Sequence, residues 1–231
     1  MAANGAGAVP RWKRCLDLTG ATLGALAVAP LMAGVALWIR LVSKGPVFFH
    51  QERVGLNGEE FTLYKFRTMS VSADTRKHEE YVQALIEDEE RPLTKMDELG
   101  DPRMIPGAAL LRSLGLDELP QLVNVWRGEM SLVGPRPCLP AEASRYRPKD
   151  RERFTTLPGL TGYWQVRGKN RTTFSEMMAM DIHYARNKSL WMDLGILLRT
   201  PLSVLCQTVA SLAPERFPLI PAGRARDRRR Q

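Results

Sequence analysis

From Leu18 to Ile39 the chain runs for 22 residues without a charged side chain. As one straight helix that run would reach about 33 Å, enough to cross a hydrocarbon core of about 30 Å. Pro30 stands near its middle, where a proline removes a backbone hydrogen bond and costs about 3 kcal/mol in a regular helix. It divides the run into Leu18–Ala29 and Leu31–Ile39, roughly 18 Å and 14 Å long, and neither arm spans alone. Arg11, Lys13 and Arg14 precede the run and Arg40 and Lys44 follow it, so the preference of cations for the cytoplasmic side applies at both ends. A helix–break–helix hairpin that enters and leaves a membrane on one face satisfies both flanks. Gly20, Gly24 and Gly34 would let other backbone approach where the break needs hydrogen-bond partners.

Three alternatives to the hairpin stay open. A kinked single span has the length. A cleaved signal peptide has the basic start and Ala27-Val28-Ala29, although Pro30 directly after the cut and further apolar chain beyond it argue against cleavage. A buried helix of a soluble domain is the third, for which 22 uncharged residues is long.

The other residues constrain the class. The whole chain is 231 residues, 44% hydrophobic and 25% charged, with a formal net charge of +8. That suits one packed domain and excludes wholesale disorder, while the recurring charges exclude a polytopic membrane protein. The basic excess calls for an anionic partner: nucleic acid, lipid or a phosphorylated substrate. Cys15, Cys138 and Cys206 are odd in number and far apart, which indicates neither a disulfide framework nor a zinc site.

After the apolar run, Val47–Phe49 and Phe61–Phe66 read as two strands of a small β-hairpin, with the turn signal Asn57-Gly58 between them. Residues 75–90 read as a charged helix. Apolar residues at 116, 119, 122, 123 and 126 have helical spacing, and Pro120 fits only near that helix's first turn. Gly134-Pro135-Arg136-Pro137 must be extended or turning. Phe174–Arg186 reads as a helix. The apolar stretch 189–212, interrupted by Asp193, Arg199 and Pro201, could lie flat on a membrane or complete the core. The organisation expected is a disordered N-terminus over 1–10, a membrane anchor over 11–44, a mixed, helix-rich α/β domain over 45–212 and a basic tail over 213–231.

Asp117-Glu118 is the most suggestive dipeptide. Acidic residues at a helix start commonly cap free N–H groups and offset the macrodipole. The alternative is a site for phosphate and a divalent cation, in which an ionised Asp can also attack phosphorus. Lys65 and Arg67 at the end of a strand, and Arg136 in a proline-flanked loop, are the cations that phosphoryl transfer needs.

Five runs in this order carry a resemblance. Lys44-Gly45-Pro46-Val47-Phe48-Phe49 with Gln51-Glu52-Arg53-Val54-Gly55, and Lys65-Phe66-Arg67-Thr68-Met69, resemble the bacterial sugar transferases, the small monotopic phosphoglycosyl transferases. Leu116-Asp117-Glu118-Leu119-Pro120-Gln121-Leu122, Met130-Ser131-Leu132-Val133-Gly134-Pro135-Arg136-Pro137 and Pro158-Gly159-Leu160-Thr161-Gly162 are similar to that family's central and later motifs. The resemblance extends from about Arg11 to Val204.

It implies a re-entrant membrane helix broken at Pro30, with the catalytic domain on the cytoplasmic face of a bacterial inner (plasma) membrane. It also implies transfer of sugar-1-phosphate from a UDP-sugar to a polyprenol phosphate, with release of UMP. Asp117 would be the nucleophile, and Asp117 and Glu118 would hold Mg²⁺. Arg112, Arg136 and Lys65 would bind phosphate, with Arg67 beside them. Asp181 resembles a later acidic position near the active site, and Asp193 is its rival. Inner-membrane lipid, downstream glycosyltransferases and a second copy of the chain are the remaining candidate partners, and nucleic acid is not expected. Ala29 replaces a common Ser before the proline, and Gly115 replaces a common hydroxyl residue two before Asp117. Two other functions stay open: a membrane-tethered basic protein without catalysis, and a polyprenol-phosphate glycosyltransferase that releases UDP.

Overall fold

The computed structural model describes residues 8–70, 103–167 and 172–212. The helix expected over 75–90, the charged stretch 79–99, the tail over 213–231 and residues 1–7 lie outside the described residues. The architecture is mixed and helix-rich, with one long apolar N-terminal helix and two small sheets.

Helix α1 covers Arg11–Val42 and continues through Pro30. The two separate arms expected from the sequence are therefore one assigned helix. The physical reason lies in its contacts. Lys13, Asp17, Ala21, Ala25, Val28, Met32, Val35 and Ile39 recur every three or four residues and turn toward the rest of the protein along the whole length. Pro30 stands on the opposite, exposed side. Packing on both flanks of the proline offsets the hydrogen bond it removes. The glycines serve a different purpose from the one their spacing suggests. A side chain at Gly20 would strike the Leu132 side chain, whereas Gly24 and Gly34 have nothing within 4 Å of where a Cβ would sit.

Strands β1 (Phe48–Val54) and β2 (Glu60–Phe66) pair antiparallel, with His50 opposite Tyr64 and Val54 opposite Glu60. The expected turn holds: Asn57 and Gly58 take φ of 56° and 82°. The first strand is longer than its apolar start implies, because Gln51 to Val54 continue the pairing. Helix α2 (Ala108–Ser113) follows, then a 3₁₀ segment Leu116–Gln121 and helix α3 (Leu122–Arg127). The helix expected over 116–126 is thus split. Pro120 lies inside the 3₁₀ run and has no N–H to donate into an α-helical pattern, which starts only at Leu122.

Strand β3 (Ser131–Val133) leads through helix α4 (Pro140–Ala143) and a further 3₁₀ segment, Asp150–Thr155, to strand β4 (Gly159–Thr161), and β3 and β4 pair in parallel. Backbone packs on backbone here. A Cβ on Gly134 would lie 2.8 Å from the Gly159 nitrogen, so no side chain fits at that position. Helix α5 (Tyr163–Arg167), helix α6 (Phe174–Asn187) and helix α7 (Leu190–Leu212) complete the described chain. Thr173 and Glu176 cap α6 reciprocally, at 3.2 Å and 2.9 Å.

The main core joins Ala21 of α1 to Leu63, Val125, Met130, Val133, Tyr184 and Ile196. Beside it lies a buried polar cluster. The Lys13 ammonium donates to the Val133 carbonyl at 2.9 Å, the Tyr184 hydroxyl at 2.9 Å and Asp193 at 2.7 Å, which uses all three of its protons. One turn on, Asp17 accepts from Ser131 Oγ at 2.8 Å and the Leu132 N–H at 2.9 Å. Lys13, expected as a flanking surface cation, is 1% exposed. Removing one partner of a buried ion pair strands the other, at a cost of about 3–5 kcal/mol. Asp193→Ala should therefore lower stability by about that amount in thermal unfolding of the detergent-solubilised chain. An unchanged melting temperature would contradict the pairing.

Candidate active site

The site is built where α2 ends. Gly115 adopts φ +68°, a left-handed conformation that suits glycine, and its N–H closes onto the Arg112 carbonyl at 3.2 Å. The chain turns there into the 3₁₀ segment that carries Asp117 and Glu118. The dyad therefore opens a six-residue 3₁₀ segment, not the first turn of the longer α-helix expected from the spacing. β2 runs alongside this segment and delivers Lys65, whose ammonium donates to Glu118 Oε1 at 2.9 Å. The loop after β3 delivers Arg136, which reaches the same oxygen at 3.4 Å. Arg112 comes from the last turn of α2 and donates to Thr68 Oγ1 at 3.4 Å. Asp117, Glu118, Lys65, Arg112 and Arg136 thus converge as the sequence suggested.

The two carboxylates differ. Glu118 accepts from two cations. Asp117 is 7% exposed, and its Oδ1 is buried with no hydrogen-bond partner among the described residues. Burial pushes the Asp117 carboxyl above the usual carboxylate range and Glu118 adds to that, while Lys65, Arg112 and Arg136 oppose it. Burial also lowers the Lys65 ammonium, with Glu118 pulling the other way. An acidic oxygen left without a partner in a cationic pocket is costly in the resting protein, and it is free to bond to something else.

Other residues singled out from the sequence lie elsewhere. Arg67 is 5% exposed and is committed to the segment that follows α1, with Nη1 on Ser43 Oγ at 3.0 Å and Nη2 on the Ser43 carbonyl at 3.2 Å. Its Nε donates to the Pro46 carbonyl. Asp181 pairs with Arg153 at 2.7 Å, and burial pushes its carboxyl up to about 6 against the pull of that guanidinium. Asp193 belongs to the Lys13 cluster. Pro30 is on the outer face of α1. Sequence reasoning missed Arg153, which sits in a run, Arg147–Arg153, that reads as solvated surface. Arg53 lay inside a quoted motif without a role.

Among the described residues no three His, Cys, Asp or Glu side chains cluster as a preformed cage. Asp117 and Glu118 nevertheless fit Mg²⁺, which commonly takes one or two carboxylates together with water and substrate phosphate. The unpartnered Asp117 oxygen is the observation that favours this fit.

Residues 9–207 match the family described as bacterial sugar transferase. The chain is 38% identical over 190 residues to the exopolysaccharide production protein ExoY of Sinorhizobium fredii, an alignment covering 81% of this chain and 83% of that protein. It is 41% identical over 206 residues to the UDP-glucose:undecaprenyl-phosphate glucose-1-phosphate transferase of Caulobacter vibrioides, covering 86% and 71%. With the undecaprenyl-phosphate galactose phosphotransferase of Salmonella typhimurium it shares 34% over 198 residues, covering 84% of this chain and 40% of that longer protein.

The raised Asp117 carboxyl has a consequence for stability. A carboxyl that titrates higher when folded than when unfolded stabilises the fold in its protonated form, and that contribution is lost as pH rises through the folded value. At neutral pH the ionised side chain is then a net cost. Asp117→Asn should be more stable at pH 7 by about 1 kcal/mol, or roughly 2–4 °C in melting temperature. The gain should shrink as pH falls toward the ordinary carboxylate range. A variant that melts below the native chain at pH 7 would refute this balance.

Proposed function

Because this chain belongs to the bacterial sugar transferase family, we propose that it moves a sugar-1-phosphate from a UDP-sugar to a polyprenol phosphate and releases UMP. Two relatives are named for undecaprenyl phosphate, which supports that acceptor. The observation that carries the chemistry is the buried, unpartnered carboxylate oxygen of Asp117 among Lys65, Arg112 and Arg136.

The ionised Asp117 attacks the sugar-bearing phosphorus of the UDP-sugar. A carboxylate-oxygen-to-phosphorus bond forms, the bridging P–O bond of the diphosphate breaks, and its electron pair leaves with UMP. Polyprenol phosphate then attacks the same phosphorus through a phosphate oxygen. The Asp117–phosphorus bond breaks, the carboxylate is regenerated, and a sugar linked through diphosphate to the polyprenol departs. Lys65, Arg112 and Arg136 offset charge on the moving phosphoryl group, which is where such catalysis gains most. Mg²⁺, when held by Asp117 and Glu118, would supply further positive charge against the diphosphate. The lipid-linked product suits extension by glycosyltransferases, which places the reaction at the start of polysaccharide or glycoconjugate assembly.

The same proposal includes the membrane. The N-terminal and C-terminal thirds of α1 both pack on one domain, through Lys13, Asp17 and Ala21 and through Val35 and Ile39. That arrangement favours both ends on one side of a bilayer, the cytoplasmic face of the inner membrane, with the helix entering without crossing. Leu23, Leu26, Leu31, Leu37 and Leu41 face outward from it, a side on which a soluble protein would place charge. Trp191, Leu198, Leu202, Leu205 and Val209 of α7 are exposed as well, which favours an interfacial position for that helix.

With Mg²⁺, UDP-glucose or UDP-galactose and undecaprenyl phosphate, the detergent-solubilised full chain should release UMP. Asp117→Asn should reduce the rate by at least about 10³-fold; full activity in that variant, or UDP as the product, would overturn the covalent route. For topology, single cysteines at Ala8 and Lys44, in a chain whose native cysteines are serine, should both react from the cytoplasmic side. Labelling from opposite faces would establish a crossing helix.

A further inference from the structure

Arg136 stands between Pro135 and Pro137, so the two residues flanking it have no N–H with which to anchor the loop. The loop is held through its carbonyls instead. The Pro135 carbonyl accepts from the Gly159 N–H at 2.8 Å. The Arg136 carbonyl accepts from Arg153 Nη2 at 2.7 Å, and the Pro137 carbonyl accepts from Arg53 Nη1 at 3.2 Å. Two of three consecutive anchors are therefore arginine side chains, one from β1 and one from the 3₁₀ segment Asp150–Thr155. Arg153 is itself fixed, with Asp181 at 2.7 Å on the same Nη2 and the Tyr146 hydroxyl at 3.0 Å on Nη1. Arg53 is fixed by the Gln51 side chain at 2.6 Å.

This arrangement is expensive. It buries Arg153 and Asp181, each about 3% exposed, and it leaves the Arg53 Nε buried without a hydrogen-bond partner among the described residues. Arg53 also lies close enough to Arg136 for the two cations to repel. A loop needing only to connect β3 to α4 would not require two guanidiniums, one buried and one half-buried. A loop that must hold one cation at a set distance from Glu118 would.

We propose that Arg53 and Arg153, the latter through its pairing with Asp181, are positioning residues that clamp the Pro137 and Arg136 carbonyls and thereby aim the Arg136 guanidinium at the phosphoryl group being transferred. The proposal rests on the reading of the site as a UMP-releasing phosphoglycosyl transferase. Lysine keeps the charge at either position but offers a single nitrogen, which cannot replace a forked donor reaching two partners.

The test is steady-state UMP release by the full chain with UDP-glucose or UDP-galactose and undecaprenyl phosphate, alongside thermal unfolding. Arg53→Lys and Arg153→Lys should each lower kcat about 10- to 100-fold, with KM for the nucleotide sugar changed by less than about threefold, because aim matters most in the transition state. Combined with Arg136→Ala, either lysine variant should add no further loss, since nothing remains to be aimed. Additive losses in the double variants, or a kcat unchanged in both lysine variants that melt like the native chain, would overturn the clamp. If Arg153→Lys does not fold, Arg53→Lys alone decides by the same criteria. A native chain that releases no UMP would instead refute the functional reading on which the clamp depends.

Discussion

The hydrogen-bonded pair of Lys13 and Asp193 is the interaction on which the arrangement depends. It ties the first turn of α1 to the first turn of α7, near opposite ends of the described chain, and shares its protons with Tyr184 of α6 and the carbonyl that ends β3. A dispersive contact chooses only weakly between neighbouring registers of a largely apolar helix. A buried ammonium with three acceptors does, because a shift by one residue would leave it uncompensated at a cost of several kcal/mol. Asp17, bonded to Ser131 and Leu132, repeats that specification one turn later. The register of the helix is set by its few polar residues, and its outward leucines are left to face whatever surrounds the domain.

The same cluster bears on catalysis at one remove. Val133 is the last residue of β3, and the next residues are Gly134-Pro135-Arg136-Pro137. β3 is therefore held from the α1 side through Ser131, Leu132 and Val133, while the loop beyond it is held from the other side through its carbonyls. Arg136 reaches Glu118 only because a strand of three residues is gripped at both ends. The basic excess of the composition also acquires structure. Lys13, Arg14, Arg67 and Arg153 are internal ties, with Arg14 donating to the Val125 and Trp126 carbonyls at 2.7 Å and 2.6 Å. Lys65, Arg112 and Arg136 form the charged side of the site. A count of cations cannot separate these two uses.

Several features were legible in the residues. Asn57-Gly58 dictated the hairpin turn, since both must adopt positive φ. The run Phe174–Arg186 read as a helix and lies within α6, and the adjacent carboxylates with their motif-borne cations converge. Other features left no local signal. β3 and β4 are three residues each, too short for a period of two to register, and their parallel pairing depends on contacts between Gly134 and Gly159 that no window of sequence includes. Arg67 and Arg153 have the composition of surface cations, and only burial against distant carbonyls distinguishes them.

By itself the sequence determined the apolar run, the hairpin turn, the helix over Phe174–Arg186 and the dyad of Asp117 and Glu118, because each depends on local backbone preference or on residue chemistry at fixed spacing. The tertiary structure decided that α1 continues through Pro30, that Lys13 is an internal tie, and that Asp181 reaches the site only through Arg153. Those outcomes depend on which distant group meets each side chain. Burial, unlike backbone preference, is a property of the whole fold.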